Sequence, residues 1–232
     1  MNTGIIREEP VRQRIKDFVS IVASTLPIKE PIYEFGSLQV PGQEGFADLR
    51  PIFPGREYIG ADMRIGTGVD KVLDLHDIDL PSESVGTVLC LDTLEHVEYP
   101  RKALEEIERI VKPGGIAVIS SVMCFHIHDY PFDYWRFTPE AFRSILKPFP
   151  DSFVGFAGEE KFPHTVVGIG FKGAFPQISE FNRRYEHWKL QQMRLANGTK
   201  LKRIAKLIIP PLLYSIFSRM YRVTLWRSRR SH

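Results

Sequence analysis

Apolar positions near the start of the chain recur with the period of a helix. Between Pro10, which suits a first helical turn, and Pro27, which marks the end, this spacing predicts an N-terminal helix. Its apolar positions are Val11, Ile15, Phe18, Val19, Val22 and Leu26. We expect this helix to pack against the domain that follows.

Beyond residue 30 the apolar positions form short unbroken runs, which predict strands that alternate with helices. The runs are residues 31–35, 57–63, 71–75, 85–91, 116–122, 152–157 and 164–172, and the helical patterns are residues 100–111 and 138–146. The run 85–91 is almost entirely apolar, as expected for a strand that is buried on both faces. The alternation predicts an α/β fold, with a doubly wound, mostly parallel sheet and helices on both faces.

Acidic residues stand at the ends of the first three predicted strands. Glu34 ends the first run, Asp62 ends the second, and Asp74 lies near the end of the third. Ligands of such sheets bind at the carboxyl ends of the strands. A carboxylate after the second strand suits a ribose, and Gly36 lets the backbone approach a ligand closely. Each feature alone also fits a solvated acid or a simple turn, but the ordered series favours a nucleotide site.

These motifs resemble those of the Rossmann-like (class I) S-adenosylmethionine-dependent methyltransferases over roughly residues 30–172. The similar segments are YEFGS (33–37), YIGADM (58–63), LDLHDIDLP (73–81), VGTVLCLDTLEHV (85–97) and LEEIERIVKPGGIAVIS (104–120). The resemblance implies S-adenosyl-L-methionine as cofactor and a seven-stranded sheet whose last strand is antiparallel. The cofactor-binding residues that it implies are Glu34, Gly36, Ser37, Asp62, Met63, Asp74, Leu75, His76, Leu91 and Asp92.

The loop after the first strand departs from that family. Its members usually have a Gly-x-Gly-x-Gly loop followed by a full helix. Here residues 36–57 have one glycine in place, and prolines stand at positions 41, 51 and 54. Because proline interrupts helices, we predict a short or irregular first crossover and an unusual, glycine-poor cofactor loop.

A segment rich in polar and aromatic side chains follows the fifth predicted strand. Residues 126–136 contain two histidines, two acids, three tyrosine or tryptophan residues and one arginine. A similar stretch occurs in a subset of the family found near genes for sugar and polysaccharide modification. A hydroxyl acceptor needs a base, so we predict His128 as general base and His126 as the alternative, with the aromatic residues as a platform for the acceptor.

Two residue pairs near this segment also have structural interpretations. Asp133 and Arg136 are expected to form an ion pair with each other. Glu95 and His96 begin the segment after the fourth strand, where they either contact the cofactor side or cap and pack the helix.

The net charge of +3 on the 232 residues conceals a strong asymmetry. Residues 187–232 contain 11 of the 31 basic residues and none of the acidic ones, which leaves 20 basic against 28 acidic residues, a net charge of −8, in the rest. Phosphate contacts need a positive surface, so the acidic body argues against nucleic acid as a partner.

The basic C-terminal segment has its own pattern. Residues 201–225 place apolar side chains at helical spacing between Lys and Arg, and the apolar run 207–217 is too short to span a bilayer. This pattern suits the surface of an anionic membrane, whereas the alternative is that the segment docks on the protein or on a second subunit. We therefore divide the chain into a methyltransferase domain, 1–175, and a helical basic extension, 176–232. We expect a cytoplasmic protein, peripheral at the inner membrane surface.

The leading interpretation is a methyltransferase that acts on a hydroxyl of a glycan, a lipid-linked sugar or another small metabolite. A nicotinamide-dependent dehydrogenase is disfavoured because the glycine fingerprint is missing. A non-catalytic cofactor-binding scaffold, tethered by the basic segment, is the alternative. The two cysteines, Cys90 and Cys124, lie in apolar runs and are expected to be buried, and no metal ligands are predicted.

Overall fold

The computed structural model describes residues 9–42, 44–173 and 178–208. Its strands are β1 (Ile32–Phe35), β2 (Tyr58–Asp62), β3 (Lys71–Val72), β4 (Val85–Leu91), β5 (Val111–Val122), β6 (Asp151–Glu159) and β7 (Phe162–Phe171). Its helices are α1 (Glu9–Thr25), α2 (Pro100–Ile110), α3 (Pro139–Ile145) and α4 (Ser179–Ile208), with short 3₁₀ turns at Arg50–Ile52 and Leu94–His96.

The strands form one sheet in the order β3–β2–β1–β4–β5–β7–β6. β1 lies between β2 and β4 and is parallel to both, whereas β7 is antiparallel to β5 and to β6. The predicted seven-stranded, mostly parallel sheet with an antiparallel last strand is therefore confirmed. The strand order reverses between β1 and β4, so their carboxyl ends form the edge at which a ligand is expected.

Helices cover both faces of the sheet, as the alternation predicts. On one face α2 buries Ala103, Leu104 and Ile107 against the sheet, next to α3. On the other face α1 and α4 pack side by side. Every residue of β4 is buried between the two layers, which agrees with its apolar sequence.

The crossover from β1 to β2 is irregular, as predicted from its prolines. Its described residues, 36–42 and 44–57, contain no α-helix and only the 3₁₀ turn Arg50–Ile52. Leu49 and Phe53 flank this turn and are buried in the apolar cluster that includes α1. The first crossover thus attaches to the sheet through one short turn.

Three expectations from the sequence differ from the structure. The third strand ends at Val72 instead of residue 75, because the chain turns where the Asp74 carboxylate accepts the backbone N–H of His76. β5 begins at Val111, with residues 112–115 looping out between the pairs Val85–Val111 and Thr87–Ile116. Cys90 is buried as expected, but Cys124 is exposed because it lies beyond the end of β5.

The first half of α4 is docked on the body. Phe181, Tyr185 and Trp188 are each no more than 4% exposed, and they lie at helical spacing. Phe181 packs edge-on against Phe153 of β6 at 5.0 Å, and Trp188 lies 5.4 Å from Phe18 of α1. Within the predicted membrane segment, residues 201–208 continue α4, and residues 209–225 lie outside the described residues. Among the helices that the structure describes, none is both long and apolar enough to cross a membrane.

Candidate functional site

The turn after β1 brings the ends of three strands together. Gly36 has φ +83°, in the left-handed region that favours glycine, and its N–H donates to the Ala61 carbonyl of β2 at 2.9 Å. A Cβ on Gly36 would lie 2.1 Å from Oγ1 of Thr93, which follows β4. Ser37, which is buried, donates through Oγ to the same Ala61 carbonyl at 3.2 Å. This position therefore requires glycine for both its backbone angle and the close approach of Thr93.

Glu34 lies on β1 with its side chain buried. The Tyr58 hydroxyl donates to its Oε2 at 2.7 Å, and burial raises the pKa of Glu34 to about 7. Arg12 and Arg50 lie close enough to oppose this shift. The structure thus places this predicted cofactor residue in a hydrogen bond with the neighbouring strand.

The carboxylate of Asp62 stands at the end of β2, only 9% exposed. Its Oδ1 accepts the backbone N–H of Arg64 at 2.9 Å, a contact that fixes the turn after the strand. Met63, the next predicted residue, is 70% exposed. Asp62 is thus held in place at the edge of the sheet, whereas Met63 is in contact with solvent.

The segment after β3 forms a small polar turn. Asp74 Oδ1 lies 2.8 Å from both the backbone N and the ring Nδ1 of His76, and these donors lower the pKa of Asp74. The backbone N–H of Tyr99 donates to Nε2 of the same ring at 3.3 Å. Leu75 between them is buried. This segment, which the resemblance assigns to the cofactor side, is therefore ordered by its own hydrogen bonds.

Leu91 and Asp92 mark the carboxyl end of β4. Leu91 is buried, and Asp92 has φ +49°, an uncommon value for a residue other than glycine. Its N–H donates to the carbonyl oxygen of Ser120 on β5 at 3.0 Å, and the Ser120 hydroxyl donates to Asp92 Oδ1 at 2.7 Å. Burial raises the pKa of this carboxyl group. β4 and β5 are thus joined at the edge where Gly36 and Asp62 also lie.

Glu95, His96 and His128 form a cluster beside this edge. One carboxylate oxygen of Glu95 and one ring nitrogen of each histidine all lie within 4.8 Å of one another. Glu95 is fully buried. From the sequence we expect it and His96 only to contact the cofactor side or to cap and pack the helix. The grouping was missed because His128 follows a different strand, and only the shared carboxyl edge of β4 and β5 suggests that the residues meet.

A two-pronged ion pair helps to order the loop after β5. Arg136 binds Asp133 through both terminal nitrogens, at 2.5 and 2.7 Å, which confirms the predicted pairing and lowers the pKa of Asp133. Asp133 Oδ2 also accepts the backbone N–H of His128 at 2.8 Å. The His126 ring is exposed and stacks on Phe125 at 4.2 Å. Of the two predicted catalytic histidines, His128 belongs to the cluster and His126 does not.

A Tyr-x-x-x-Lys spacing, typical of one class of nicotinamide-dependent dehydrogenases, occurs at Tyr185 and Lys189. Tyr185 is buried in α4, and its hydroxyl accepts the backbone N–H of Phe156 at 3.0 Å. Lys189 lies over the Phe156 ring. This pair packs α4 onto β6, so its role is structural.

Residues 64–119 match a family model described as a methyltransferase domain. The ubiquinone/menaquinone biosynthesis C-methyltransferase UbiE of Geotalea daltonii is 26% identical over 127 residues, which cover 51% of this chain and 54% of that protein. The chain thus spans about half the length of the curated relative that it matches.

Solved structures share the fold. A chain from the complex of the Haloferax volcanii Trm112 methyltransferase activator with a methyltransferase aligns with TM-score 0.53 and 16% identity, over 74% of this chain and 95% of that one. A methyltransferase from Thermotoga maritima aligns with TM-score 0.52 and 19% identity, over 72% of this chain and 93% of that one. At these identities the likeness shows the fold.

Proposed function

The chain belongs to the Rossmann-like (class I) S-adenosylmethionine-dependent methyltransferases, and we propose that it transfers a methyl group to a hydroxyl of a glycan, a lipid-linked sugar or another small metabolite. S-adenosyl-L-methionine, the methyl donor of this family, supplies an electrophilic methyl group when it is bound. The protein contributes the position of both reactants and the removal of the acceptor's proton.

The meeting of Gly36, Asp62 and Asp92 at one edge is the observation that supports this proposal most directly. The Gly36 N–H donates to the carbonyl of Ala61, which precedes Asp62, and Gly36 lies against the side chain of Thr93, which follows Asp92. The Thr93 side chain fills the space that a side chain at position 36 would need, so this turn at the edge requires glycine. The Asp62 carboxylate can accept hydrogen bonds from the two ribose hydroxyls. The residues present therefore fit the cofactor.

His128 is the residue that we assign to proton removal. It lies in the cluster with Glu95 and His96, next to Asp92 at the carboxyl end of β4. Its backbone N–H donates to the buried Asp133 carboxylate, so the Asp133–Arg136 pair fixes the backbone from which the ring projects. A hydroxyl acceptor must lose its proton when it is methylated, and an imidazole at this edge can assist that step.

Exposed aromatic side chains in the loop that carries His128 favour a ring-shaped acceptor. Tyr130, Phe132, Tyr134 and Trp135 are each at least 42% exposed. Amphipathic aromatic faces of this kind suit contact with the apolar faces of sugar rings. A carbon acceptor is the second candidate, favoured by the likeness to a C-methyltransferase. The described residues of the β1–β2 crossover contain no α-helix, which favours a third candidate, a non-catalytic cofactor-binding scaffold.

Calorimetry with S-adenosylhomocysteine tests the cofactor site. We expect Asp62→Ala to weaken binding by about 1–3 kcal/mol, because the ribose hydroxyls would lose a charged acceptor. Glu105→Ala removes an exposed acid on α2, away from the segments assigned to the cofactor, and serves as the matched control. Wild-type affinity in a folded Asp62→Ala protein would remove this residue from the cofactor site.

Turnover tests the acceptor side. Labelled S-adenosylmethionine and glycan or lipid-linked sugar fractions of the native host provide the assay. We expect His128→Ala to lower turnover by about 10²–10⁴-fold while S-adenosylhomocysteine binding is retained. If His126→Ala abolishes turnover and His128→Ala does not, the catalytic role belongs to His126. Cofactor binding without turnover on any fraction would favour the scaffold.

We also propose that the protein is cytoplasmic and binds the inner membrane surface through its basic C-terminal segment. The support is the sequence alone, namely the 11 basic residues without an acidic one over residues 187–232. Such segments bind anionic lipid at roughly 1 kcal/mol for each Lys or Arg near the surface. A membrane location would bring the protein close to lipid-linked acceptors.

A further inference from the structure

We propose that Glu95, His96 and His128 bind a divalent metal ion of the zinc class, and that this ion takes the acceptor hydroxyl as a further ligand. The role of the ion rests on the proposed function, whereas its binding does not. Under this proposal His128 assists proton removal as a metal ligand instead of acting as a free base.

The geometry of the cluster is close to that of a metal site. The three ligand atoms lie within 4.8 Å of one another, and the rings of His96 and His128 meet edge to face with centroids 4.7 Å apart. Zinc bonds of about 2.0–2.2 Å place tetrahedral ligand atoms roughly 3.3 Å apart. Closing the site therefore needs movements of about 1.5 Å at most. The His128 side chain, which is 28% exposed, has room for such a movement.

The hydrogen bonds of both histidines prepare a ring nitrogen for metal binding. His96 Nδ1 lies 2.8 Å from the Phe132 carbonyl, and His128 Nδ1 lies 3.1 Å from the His126 carbonyl. A carbonyl only accepts, so each Nδ1 has the proton and each Nε2 retains a lone pair. The Asp133 carboxylate also lies 3.3 Å from His128 Nδ1. Metal-binding histidines have this arrangement, in which the second ring nitrogen donates to a carbonyl or carboxylate.

Glu95 supplies the second, independent observation. The Ser121 hydroxyl donates to its Oε2 at 2.7 Å, but Oε1 is buried and has no hydrogen-bond partner among the described residues. An unpartnered buried carboxylate oxygen is costly, so such atoms are normally hydrogen-bonded or bind metal ions. A cation between Glu95 and the two histidines would satisfy this atom.

The ligand types favour zinc. The Asp92 carboxyl group lies near both histidines, beside the cluster. Arg136 faces Glu95, but its charge is balanced by the two-pronged pair with Asp133. Two imidazoles and one carboxylate suit zinc and related first-row ions, whereas magnesium and calcium prefer oxygen ligands. Three protein ligands leave a position at which a bound hydroxyl would lose its proton more easily.

Cobalt titration of the metal-stripped full-length protein tests the site. We expect one Co²⁺ per chain, detected by its visible absorption and displaced by Zn²⁺. His96→Ala and His128→Ala should each weaken Co²⁺ binding by more than about 100-fold, and Glu95→Gln should weaken it as well. Ser121→Ala retains all three ligands and should weaken binding by about 10–100-fold. His126→Ala, an exposed histidine of the same loop, is the matched control and should bind as the wild type does.

Each result supports or overturns the inference. Circular dichroism melts restrict the comparison to folded variants. An absence of saturable Co²⁺ binding by the wild type, or equal binding by the wild type and His128→Ala, overturns the metal site. Calorimetry with S-adenosylhomocysteine on the same samples separates the two proposals. Cofactor binding and turnover without any metal dependence overturn the inference alone, whereas Co²⁺ binding without cofactor binding supports the site and overturns the proposed function.

Discussion

Two crossovers of the sheet solve the same packing problem in different ways. Between β4 and β5, α2 places an apolar stripe against the sheet, and all four of its core residues, Ala103 through Ile110, are fully buried. Between β1 and β2, the described chain has one 3₁₀ turn and no helix. There Arg50 donates to the Gly68 carbonyl and to Asp70, and Asp70 accepts the backbone N–H of Gly60. Polar contacts thus add to the two buried side chains, Leu49 and Phe53, that attach the first crossover, whereas the apolar stripe of a helix attaches the second.

The difference shows which elements replace the missing crossover helix. Leu49 and Phe53 are buried in the same cluster as Phe18 of α1 and Phe181 of α4. The face that a crossover helix would cover is therefore closed by helices from the two ends of the described chain. On this view α4 is part of the core, and its removal should destabilise the sheet.

The largest expected effect on the free energy of unfolding comes from removing one buried side chain on each face of the sheet. Phe181→Ala in α4 should lower the free energy of unfolding by about 3–5 kcal/mol, because a fully buried ring between Phe18 and Phe153 is lost. Ile107→Ala in α2 should cost about 2–5 kcal/mol. Chemical denaturation followed by circular dichroism measures both.

Asn182→Ala, an exposed change beside Phe181, is the control and should shift stability by less than about 0.5 kcal/mol. A single unfolding transition that is lowered by either core change means that α4 and α2 belong to one cooperative unit. If Phe181→Ala instead produced a separate early transition and left the main midpoint unchanged, α4 would be an appended helix.

The helix of the second crossover could be predicted from sequence, whereas for the first crossover only the absence of a regular helix could be predicted. In residues 100–111 the apolar period, Pro100 and the following Lys-Pro-Gly-Gly all agree, and α2 ends within one residue of the prediction. In residues 36–57 the prolines indicate that a helix is absent, but they do not show what replaces it. The replacement depends on contacts with α1 and α4, which are distant in sequence.

The buried hydrogen bond between Glu34 of β1 and Tyr58 of β2 provides a test of the polar contacts in this half of the sheet. Its pKa is about 7 in the folded protein, against an ordinary value of 4.5, so the folded state retains a proton that the unfolded chain releases between these values. Stability should therefore fall as pH rises from about 4.5 to 7, by roughly 3 kcal/mol at most. Denaturation of the wild type at pH 5 and pH 7.5 measures this loss.

Glu34→Gln is the matched variant, since an amide can still accept the Tyr58 hydroxyl but does not titrate in this range. We expect its stability to lack the Glu34 contribution to the pH slope. Glu57→Gln changes an exposed acid nearby and should retain the wild-type slope. Equal slopes for the wild type and Glu34→Gln would contradict the raised pKa.

The sequence predicts positions at the ends of single strands, but not which residues of different strands meet. The alternation of strands and helices places Asp62 at the end of its strand, and the family resemblance points to Asp92. The approach of Thr93 to Gly36 depends on the pairing of β1 with β4. The cluster of Glu95, His96 and His128 likewise depends on β4 lying beside β5. Both contacts depend on which strands are neighbours and how they are aligned, and a local sequence pattern does not show this.

The smallest effect on stability is expected from truncation after Asn197, which separates the docked part of α4 from the basic segment. The truncated chain retains the buried residues of α4 from Phe181 to Gln192, so it should fold and bind S-adenosylhomocysteine as the full chain does. It loses nine of the 11 basic residues, so only the full chain should cosediment with vesicles rich in anionic lipid. That binding should fall as salt rises, because exposed charges are screened.

A full-length variant with Lys200, Lys202, Arg203 and Lys206 changed to Gln has the same length with fewer charges, and it should bind the vesicles more weakly. Equal sedimentation of the full and truncated chains would contradict the membrane proposal, and aggregation of the truncated chain would show that the segment covers apolar surface of the body.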